Sequence, residues 1–328
     1  MSRQLTSIFI VLFLACGLHV QGQGSFCGAV GTEGCDAIAH THPAIIGWAT
    51  GCNVVRGPVD IVDPNGPHVR FGEESYGTGV ASLDTRDAVS LGDGGSAVLT
   101  FESPIRNVAG PDFAVFENSF NDSFLELAFV EVSTDGEHYV RFPSTSLTPT
   151  ATQVGSNGSV DPTKLNNLAG KYRIGYGTPF DLEELRDSAG IDIDSIVYVR
   201  VVDVVGTINP QYATHDAYGH MVNDPYPTKD TIWASGGFDL TGVAVLSATM
   251  GIYESPAEPV TVIWPNPATD HVKVSCNSGQ HVSLYSTDGR LVRDSRAMDG
   301  CATFDLRGLA TGVYIVRTGG WSGKVVKH

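Results

Sequence analysis

The fold of this chain is indicated most clearly by residues 113–142, which read FAVFENSFNDSFLELAFVEVSTDGEHYVRF. Two apolar and β-branched runs, Phe113–Phe116 and Ala128–Ser133, are separated by a segment rich in Asn, Asp and Ser. A third run, Tyr139–Phe142, follows the Asp-Gly pair at residues 135–136, which is a signal for a tight hairpin. The stretch predicts short antiparallel strands joined by turns.

The same pattern continues on both sides of this stretch. One helical turn is expected at Asp181–Leu185, where Asp181 can cap the first amides and Glu184 sits at the capping-box position. Many short strands, with 38 Gly and 17 Pro between and around them, favour an all-β fold, and we expect a jelly-roll-like β-sandwich. Further strands are predicted at Ala97–Phe101, Val197–Val205 and Gly242–Leu246.

The charge of the chain is divided unevenly along its length. The whole sequence has a formal charge of −16, which gives no basic excess for nucleic acid, so we expect no nucleic-acid partner. Residues 23–259 hold 31 acids against 11 bases, whereas residues 260–328 hold five acids against eight bases. This contrast predicts two units with different roles.

The first 22 residues have the features of a secretory signal peptide. Arg3 supplies a basic start, Ile8–Leu14 is a short apolar run, and Val20-Gln21-Gly22 suits a cleavage site. No apolar run is long enough to span a bilayer, so we expect a secreted protein without a transmembrane segment. Cys16 leaves lipidation as an alternative.

We therefore expect four segments along the chain. They are a signal peptide at 1–22, a β-sandwich cargo unit at 23–250, a linker at 251–259 and a C-terminal unit at 260–328. The linker is indicated by its two prolines and two acids.

Five cysteines remain after the signal peptide, and export favours disulfides. Cys276 ends one strand-like run and Cys301 begins another, so a bridge between them is predicted. Of Cys27, Cys35 and Cys52, one must be left over. A zinc site with His40 and His42 is the alternative, although no C-x-x-C pair is present to support it.

The C-terminal unit carries four motifs in a characteristic order: Ile263–Asp270, Val282–Val292, Leu309–Val316 and Lys324–Lys327. These motifs closely resemble the type A sorting domain of the type IX secretion system of Bacteroidetes. The resemblance implies a small immunoglobulin-like sandwich, an address read by the type IX secretion machinery, and a location at the outer-membrane cell surface or outside the cell.

The cargo unit contains five recognisable blocks, at residues 90–96, 110–118, 128–133, 175–182 and 237–240. These blocks resemble an uncharacterised family of secreted bacterial cell-surface β-sandwich proteins. That resemblance implies a fold and a location but no enzymatic activity. The last block, Gly237–Leu240, is also similar to the final strand of calcium-bearing β-jelly-roll binding modules.

Acidic residues on apolar strand faces suggest a calcium site. Period-two alternation puts Glu117 with Phe113 and Val115, and Asp203 with Val199 and Val201. A buried carboxylate needs a cation or hydrogen-bond donors, and Ca²⁺ takes six to eight oxygen ligands. The loop Asp216–Asp224 has a carboxylate at each end and a glycine between them. The predicted calcium ligands are drawn from Glu117, Asp203, Asp216, Asp224 and Asp239.

The alternative is that these carboxylates are structural. Glu117 and Asp203 would then reach solvent at strand ends and pair with Arg200 or Lys171. The two interpretations differ in whether a cation is needed to hold the acids in the fold.

The predicted function is non-catalytic binding or adhesion. Loop aromatics suit sugar rings or another small ligand, and the predicted ligand-binding residues are Tyr176, Tyr218, Tyr226 and Trp233. The sequence lacks Gly-x-Ser-x-Gly, a phosphate loop, a zincin motif and a dinucleotide fingerprint, so we expect no enzyme. The alternative function is an exported hydrolase acting on polysaccharide or peptide, which a close pair of carboxylates in a groove would favour.

Overall fold

A computed structural model describes most of the chain. The predicted signal peptide, the predicted linker and Trp233 lie outside the described residues. The described residues are 26–63, 65–228, 234–248, 262–276, 280–287, 289–298, 300–318 and 321–328.

The described part of the cargo unit contains thirteen strands and three short 3₁₀ helices. The helices are Glu74–Gly77, Pro162–Lys164 and Leu182–Leu185. The strands are β1 (Ile38–Ala39), β2 (Ile45–Trp48), β3 (Gly51–Val55), β4 (Val89–Ser90), β5 (Ser96–Ile105), β6 (Phe113–Glu117), β7 (Ala128–Ser133), β8 (Val140–Arg141), β9 (Thr145–Ser146), β10 (Leu165–Asn166), β11 (Tyr176–Phe180), β12 (Ile196–Asp203) and β13 (Asp239–Leu246).

Two antiparallel sheets share one hydrophobic core. One sheet has the order β1-β11-β6-β13-β2, with β4 also paired to β13, and the other has the order β3-β5-β12-β7-β8. Leu99 of the second sheet and Phe113 of the first belong to the same buried cluster, and neither is exposed. Phe113 stacks on Phe180 with ring centroids 5.4 Å apart. The all-β prediction is confirmed, and the two sheets enclose a sandwich-like core.

Strands β6 and β7 are buried along their whole length. Alternate residues of β6 face the shared core, while Ala114 and Phe116 belong to a second buried cluster with Ile38. Phe129 of β7 likewise packs in a cluster formed with loop residues. Coverage of both faces explains why these strands read as continuous apolar runs rather than as an alternating pattern.

The local predictions differ from the structure at two turns. The connection after β7 spans residues 134–139 instead of a two-residue turn, because Asp135 accepts hydrogen bonds from the amides of Glu137 and His138, both at 2.8 Å. Asp181 caps a 3₁₀ helix through the Glu183 amide at 2.9 Å, as expected. Glu184 does not complete a capping box, because its carboxylate accepts a hydrogen bond from Asn167 at 2.6 Å.

The C-terminal unit has its own sheets and its own core. Its strands form the orders β14-β15-β18 and β17-β16-β19-β20. In β15 the buried Val272 and Val274 alternate with exposed residues, which is typical of a sheet with one solvated face. The strands are β14 (Ile263–Trp264), β15 (His271–Ser275), β16 (His281–Ser286), β17 (Leu291–Arg296), β18 (Cys301–Asp305), β19 (Gly312–Thr318) and β20 (Trp321–Lys327).

Asn266, near the start of this unit, is hydrogen-bonded to the last strand. Its side-chain amide donates to the Lys324 carbonyl at 2.6 Å, and its side-chain oxygen accepts from the Val326 amide at 2.8 Å. The first and last segments of the unit are therefore joined through one side chain.

Cys276 and Cys301 lie close together in this unit. Ser275 pairs with Cys301 between β15 and β18, and Cys276 donates its amide to the Gly300 carbonyl at 3.1 Å. Both sulfurs are thiols in the structure. The bridge between them stays a prediction.

In the part of the chain that the structure describes, no helix has the length and apolar character needed to cross a bilayer.

Candidate functional site

A cleft of about 1000 Å³ lies where β4 and β6 end and β13 begins. Asp239 opens β13 opposite Ser90 of β4, and Asn118 directly follows β6. Loops distant in sequence complete the walls. The lining residues are Phe71, Thr85, Arg86, Asn118, Phe120, Phe124, Glu126, Ser156, Asn157, Pro227, Thr228, Ser235 and Asp239.

Asp239 is fixed at the floor of the cleft. Its carboxylate accepts a short hydrogen bond from the Ser90 hydroxyl and another from the Asn118 side-chain amide at 3.1 Å. Burial raises the pKa of Asp239 to about 6, although these hydrogen bonds and the charge of Arg56 favour the ionised form. Asp239 can therefore change its protonation state in mildly acidic solution.

Arg56 holds the backbone beneath Asp239. Its guanidinium donates to the carbonyls of Phe71 at 2.7 Å, Ser90 at 2.6 Å and Gly72 at 2.7 Å. These bonds connect the loop that carries Phe71 to the strand that carries Ser90. Arg56 thus positions the Phe71 segment and Ser90, which is a hydrogen-bond partner of Asp239.

Glu126 is the second acid of the cleft. It lies between Leu125 and Leu127, which are fully buried, and it lines the cleft. Burial first, and then the negative charge of Asp239 and other acids, raises the pKa of Glu126 well above its ordinary value. Glu126 is expected to carry a proton under conditions in which a surface glutamate is ionised.

Glu117 ends β6 opposite Leu240, the residue after Asp239, and is only 1% exposed. Its Oε2 accepts the Ser119 amide at 2.6 Å, but its Oε1 has no hydrogen-bond partner among the described residues. Burial, followed by the charge of Asp239, raises the pKa of Glu117 well above its ordinary value. A buried oxygen without a partner is costly and calls for a proton or a cation.

Aromatic side chains form the apolar wall of the cleft. Phe120 and Phe124 stack with centroids 4.9 Å apart and an angle of 20° between their planes. Phe120 is 54% exposed, so its ring is accessible from solvent. The cleft therefore combines an accessible aromatic surface with carboxylates and amides.

Two of the predicted calcium ligands are held by backbone amides. Asp203 accepts hydrogen bonds from the amides of Gly94 at 2.8 Å and Phe238 at 2.7 Å, and Asp224 accepts from Leu127 at 2.9 Å. Both are almost completely buried, and burial is the largest cause of their raised pKa values. These contacts give both residues a structural role in joining loops to strands.

Asp216 lies in a different place from the other four predicted ligands. Its carboxylate accepts the amides of Ser146 at 3.0 Å and of Tyr218 and His220 at 2.9 Å. It also contacts the His220 ring at 3.1 Å. Among the described residues no three His, Cys, Asp or Glu side chains are arranged to hold one metal ion.

The structural alternative for Glu117 and Asp203 also needs correction. Neither reaches solvent, since each is 1% exposed. Arg200 instead forms an ion pair with Glu131. Arg141 also pairs with Glu131, at 2.7 Å. Asp203 is satisfied by backbone amides, whereas Glu117 is satisfied only in part.

The predicted ligand-binding tyrosines do not meet at the cleft. Tyr176 belongs to β11 and stacks with Arg173, whose guanidinium carbon lies 5.0 Å from the ring centre. Tyr218 is exposed on the Asp216 loop, and the Tyr226 hydroxyl donates to Asp60 at 3.3 Å. Tyr226 is nevertheless next to Pro227, which lines the cleft.

Sequence reasoning missed Glu126, Phe120 and Phe124. Glu126 satisfies the criterion that selected Glu117, because period-two alternation puts it on one face with the apolar residues Phe124 and Ala128. The two phenylalanines lie in the Asn- and Ser-rich connection between β6 and β7, and only the fold shows that their rings stack.

The C-terminal residues can be identified by family. Residues 262–328 match the family described as the secretion system C-terminal sorting domain. This segment is a type IX secretion sorting domain. The sorting domain makes the protein a secreted one, found at the cell surface or outside the cell. The resemblance noted from the sequence is confirmed.

Three solved structures are similar to parts of this chain. PorZ, a surface component of the type IX secretion system of Porphyromonas gingivalis, is 15% identical over 35% of this chain and 20% of its own, with a TM-score of 0.21. The BSP domain of a biofilm-associated protein is 11% identical over 71% of this chain and 48% of its own, with a TM-score of 0.19. The T6 backbone pilin of Streptococcus pyogenes is 15% identical over 84% of this chain and 50% of its own, with a TM-score of 0.16.

This chain thus spans between a fifth and a half of the length of those structures. None of the three reaches a TM-score of about 0.5, so the function of the cargo unit has to be argued from its own residues. No curated protein matches the sequence.

Proposed function

We propose that the cargo unit is a non-catalytic glycan-binding protein that the sorting domain delivers to the cell surface. The observation that carries this proposal is the exposed Phe120–Phe124 stack beside Asn118, Asp239 and Glu126. Sugar rings present apolar faces that pack on aromatic rings, and their hydroxyls exchange hydrogen bonds with amides and carboxylates. The cleft offers both kinds of contact.

Replacing both Phe120 and Phe124 by Ala should weaken glycan binding by about tenfold or more, because the stacking surface for the sugar is lost. Glycan-array binding followed by calorimetry on the secreted protein would measure this change. The matched control is Tyr218→Ala, which removes another exposed aromatic ring from a different loop.

Equal binding by the wild type and the double variant would exclude the cleft as the glycan site. Loss of binding in Tyr218→Ala alone would instead place the ligand at the Asp216 loop. Absence of binding to any glycan by the wild-type protein would remove the glycan proposal itself.

A polysaccharide hydrolase is the second candidate, and the acids of the cleft favour it. Retaining and inverting glycosidases use two carboxyl groups, one protonated and one ionised. Glu126, with a pKa well above its ordinary value, suits the proton donor. Asp239 is oriented by Ser90 and Asn118 and suits the base or nucleophile above a pH of about 6.

The variants Glu126→Gln and Asp239→Asn separate the two candidates. Under the hydrolase proposal, each should abolish release of reducing sugar while glycan binding persists. Under the binding proposal, the wild-type protein releases no sugar.

We also propose that calcium stabilises the cargo unit, with binding confined to the region of Glu117, Glu126 and Asp239. Support comes from the Glu117 Oε1, which is buried without a partner among the described residues, and from the mutual repulsion of the three acids. The three acids are not arranged to hold one metal ion in the structure, so Ca²⁺ would have to draw their side chains together, and it would then offset their repulsion. Asp203 and Asp216 already accept two or more hydrogen bonds each and are not needed.

Calcium should therefore raise the melting temperature of the wild-type protein, and chelator should reverse the rise, by mass action on the folded state. Glu117→Gln should abolish this response, because it removes a charged ligand while keeping the volume. Asp216→Asn is the control and should retain the response. Melting curves that are identical with calcium and with chelator would contradict the proposal.

A further inference from the structure

Strand β19 of the sorting domain is apolar on both of its faces. Its residues Val313, Tyr314, Ile315 and Val316 form a continuous apolar run. Successive side chains of a strand point to opposite faces of the sheet, and Tyr314 and Val316 are buried in the core of the domain. Val313, which is 40% exposed, and Ile315 therefore lie on the solvent side. A solvated sheet face normally carries polar residues, so the core alone does not account for this run.

The neighbouring strands extend this apolar surface across the four-stranded sheet. Ile315 pairs with Tyr285 of β16, and Tyr285 pairs in turn with Leu291 of β17, which is 51% exposed. On the other side of β19, Val313 pairs with Val326 of β20. Residues that pair across antiparallel strands lie side by side on the same face of the sheet. These five side chains therefore form one surface, which we call the apolar face.

The solvent side of the other sheet of the sorting domain is different. In β15 and β18 every buried apolar residue is followed by a residue on the solvent side, and those residues are polar where they are most exposed. The exposed residues are His271, Lys273, Thr303 and Asp305. The apolar face is thus a property of one sheet of the domain, and small size does not explain it.

Two cations border the apolar face. The guanidinium carbon of Arg317 lies 5.5 Å from the centre of the Tyr285 ring. Lys324 pairs with Ile315 and is exposed. Within the residues that the structure describes, neither cation forms an ion pair with an acid of the sorting domain. A surface that covers the apolar face would match these charges with carboxylates at its border.

We propose that the apolar face is the surface through which the sorting domain docks on a component of the type IX secretion machinery. The docking surface of that component is apolar at its centre and has carboxylates at its border. The inference rests on the sorting role of residues 262–328. A second copy of this chain fits less well, because it would bring two identical pairs of cations together. The described part of the cargo unit leaves Leu291 and Val313 open to solvent.

Substitutions on the apolar face test this inference in the full-length protein on secreting cells. Val313→Thr/Ile315→Thr removes apolar surface and keeps the β-branched side chains that suit a strand. Surface labelling should show display reduced by about tenfold or more, because two central docking contacts are lost. The melting temperature should stay within about 3 °C of the wild type, since both side chains lie outside the core.

The bordering charges are tested by a second variant with a matched control. Lys324→Glu should also reduce display, because it places an acid against the carboxylates of the partner. Lys273→Glu makes the same change on the polar side of the other sheet and should leave display unchanged. A chain without residues 260–328 sets the background of the assay. Wild-type display of both face variants, with display lost in the deletion, would overturn the docking face and leave the sorting role intact.

Photo-cross-linking identifies the occupant of the face without disturbing its other residues. A photoreactive phenylalanine analogue in place of Leu291 should give an adduct that mass spectrometry identifies as a type IX secretion component. The same analogue in place of Thr303, on the other sheet, should not. An adduct with the cargo unit or with a second copy of the chain would overturn the assignment. Equal adducts from both positions, or none from position 291, would overturn it as well.

Discussion

Deletion of residues 260–328 should reduce surface display of the cargo to background and leave it in the periplasm. The deleted part contains the whole sorting domain, which matches residues 262–328. The cargo core is formed by β4–β7 and β11–β13, so the truncated cargo is expected to fold. Cell-surface labelling and fractionation would measure the loss. Normal display of the truncated protein would contradict the role of the sorting domain.

A pair of point variants tests whether the sorting domain must be folded to be read. Val272 is fully buried in β15, and the neighbouring Lys273 is exposed on the opposite face. Val272→Asp buries an unpaired charge and should cost several kcal/mol, roughly enough to unfold a domain this small. Lys273→Asp should preserve the fold. Equal display of both variants would show that a linear signal is sufficient.

The cargo unit should lose stability as the pH rises above about 4, and the contribution of Asp239 should be lost by a pH of about 6. Burial keeps the folded-state pKa values of several carboxyl groups above their unfolded values, and Asp239 shifts from 3.8 to about 6. The others with the largest rises are Glu117, Glu126, Asp203 and Asp224.

The direction follows from proton binding. Between the unfolded and folded pKa values the native state binds more protons than the unfolded chain, so raising the pH favours unfolding. Below a pH of about 4 these groups are protonated in both states and impose no penalty. For Asp239 alone, the shift corresponds to a free energy of unfolding that is about 3 kcal/mol lower at neutral pH and above than at a pH below about 4.

Urea unfolding of the secreted protein at a pH of about 5 and at a pH of about 8 would measure the loss of stability. Asp239→Asn should flatten the pH dependence, whereas Glu102→Gln, which removes one acid from an exposed position on β5, should not. If calcium binds near Glu117, adding it should restore stability at the higher pH and have little effect at the lower one. Greater stability at the higher pH without calcium would contradict the role of the buried acids.

The fold class could be predicted because strand formation depends on local patterns. β7 occupies the predicted residues Ala128–Ser133, and β12 begins one residue before the predicted start. The loop after β7 could not be predicted in the same way. Its length is set by side-chain bonds of Asp135 to two successive amides, which compete with the tight turn that Asp-Gly favours.

The site was less predictable because it depends on contacts between distant segments. Asp239 was selected from the sequence, but its partners Ser90 and Asn118 lie 149 and 121 residues away. Asp216 was selected for its loop, where it binds local amides instead of a shared site. Sequence patterns identify acids that need partners, whereas the topology of the sheets decides which partners they find.

The position of β13 has a consequence for the order of assembly. It is the last cargo strand along the chain, yet it lies between β6 and β2 and also pairs with β4. The sheet therefore cannot close until the chain has been made as far as Leu246, and its central pairings join segments that are far apart in sequence. Such non-local pairing makes folding slow. A cargo that folds late stays unfolded longer after synthesis, which suits a protein that must leave the cell interior before it becomes compact.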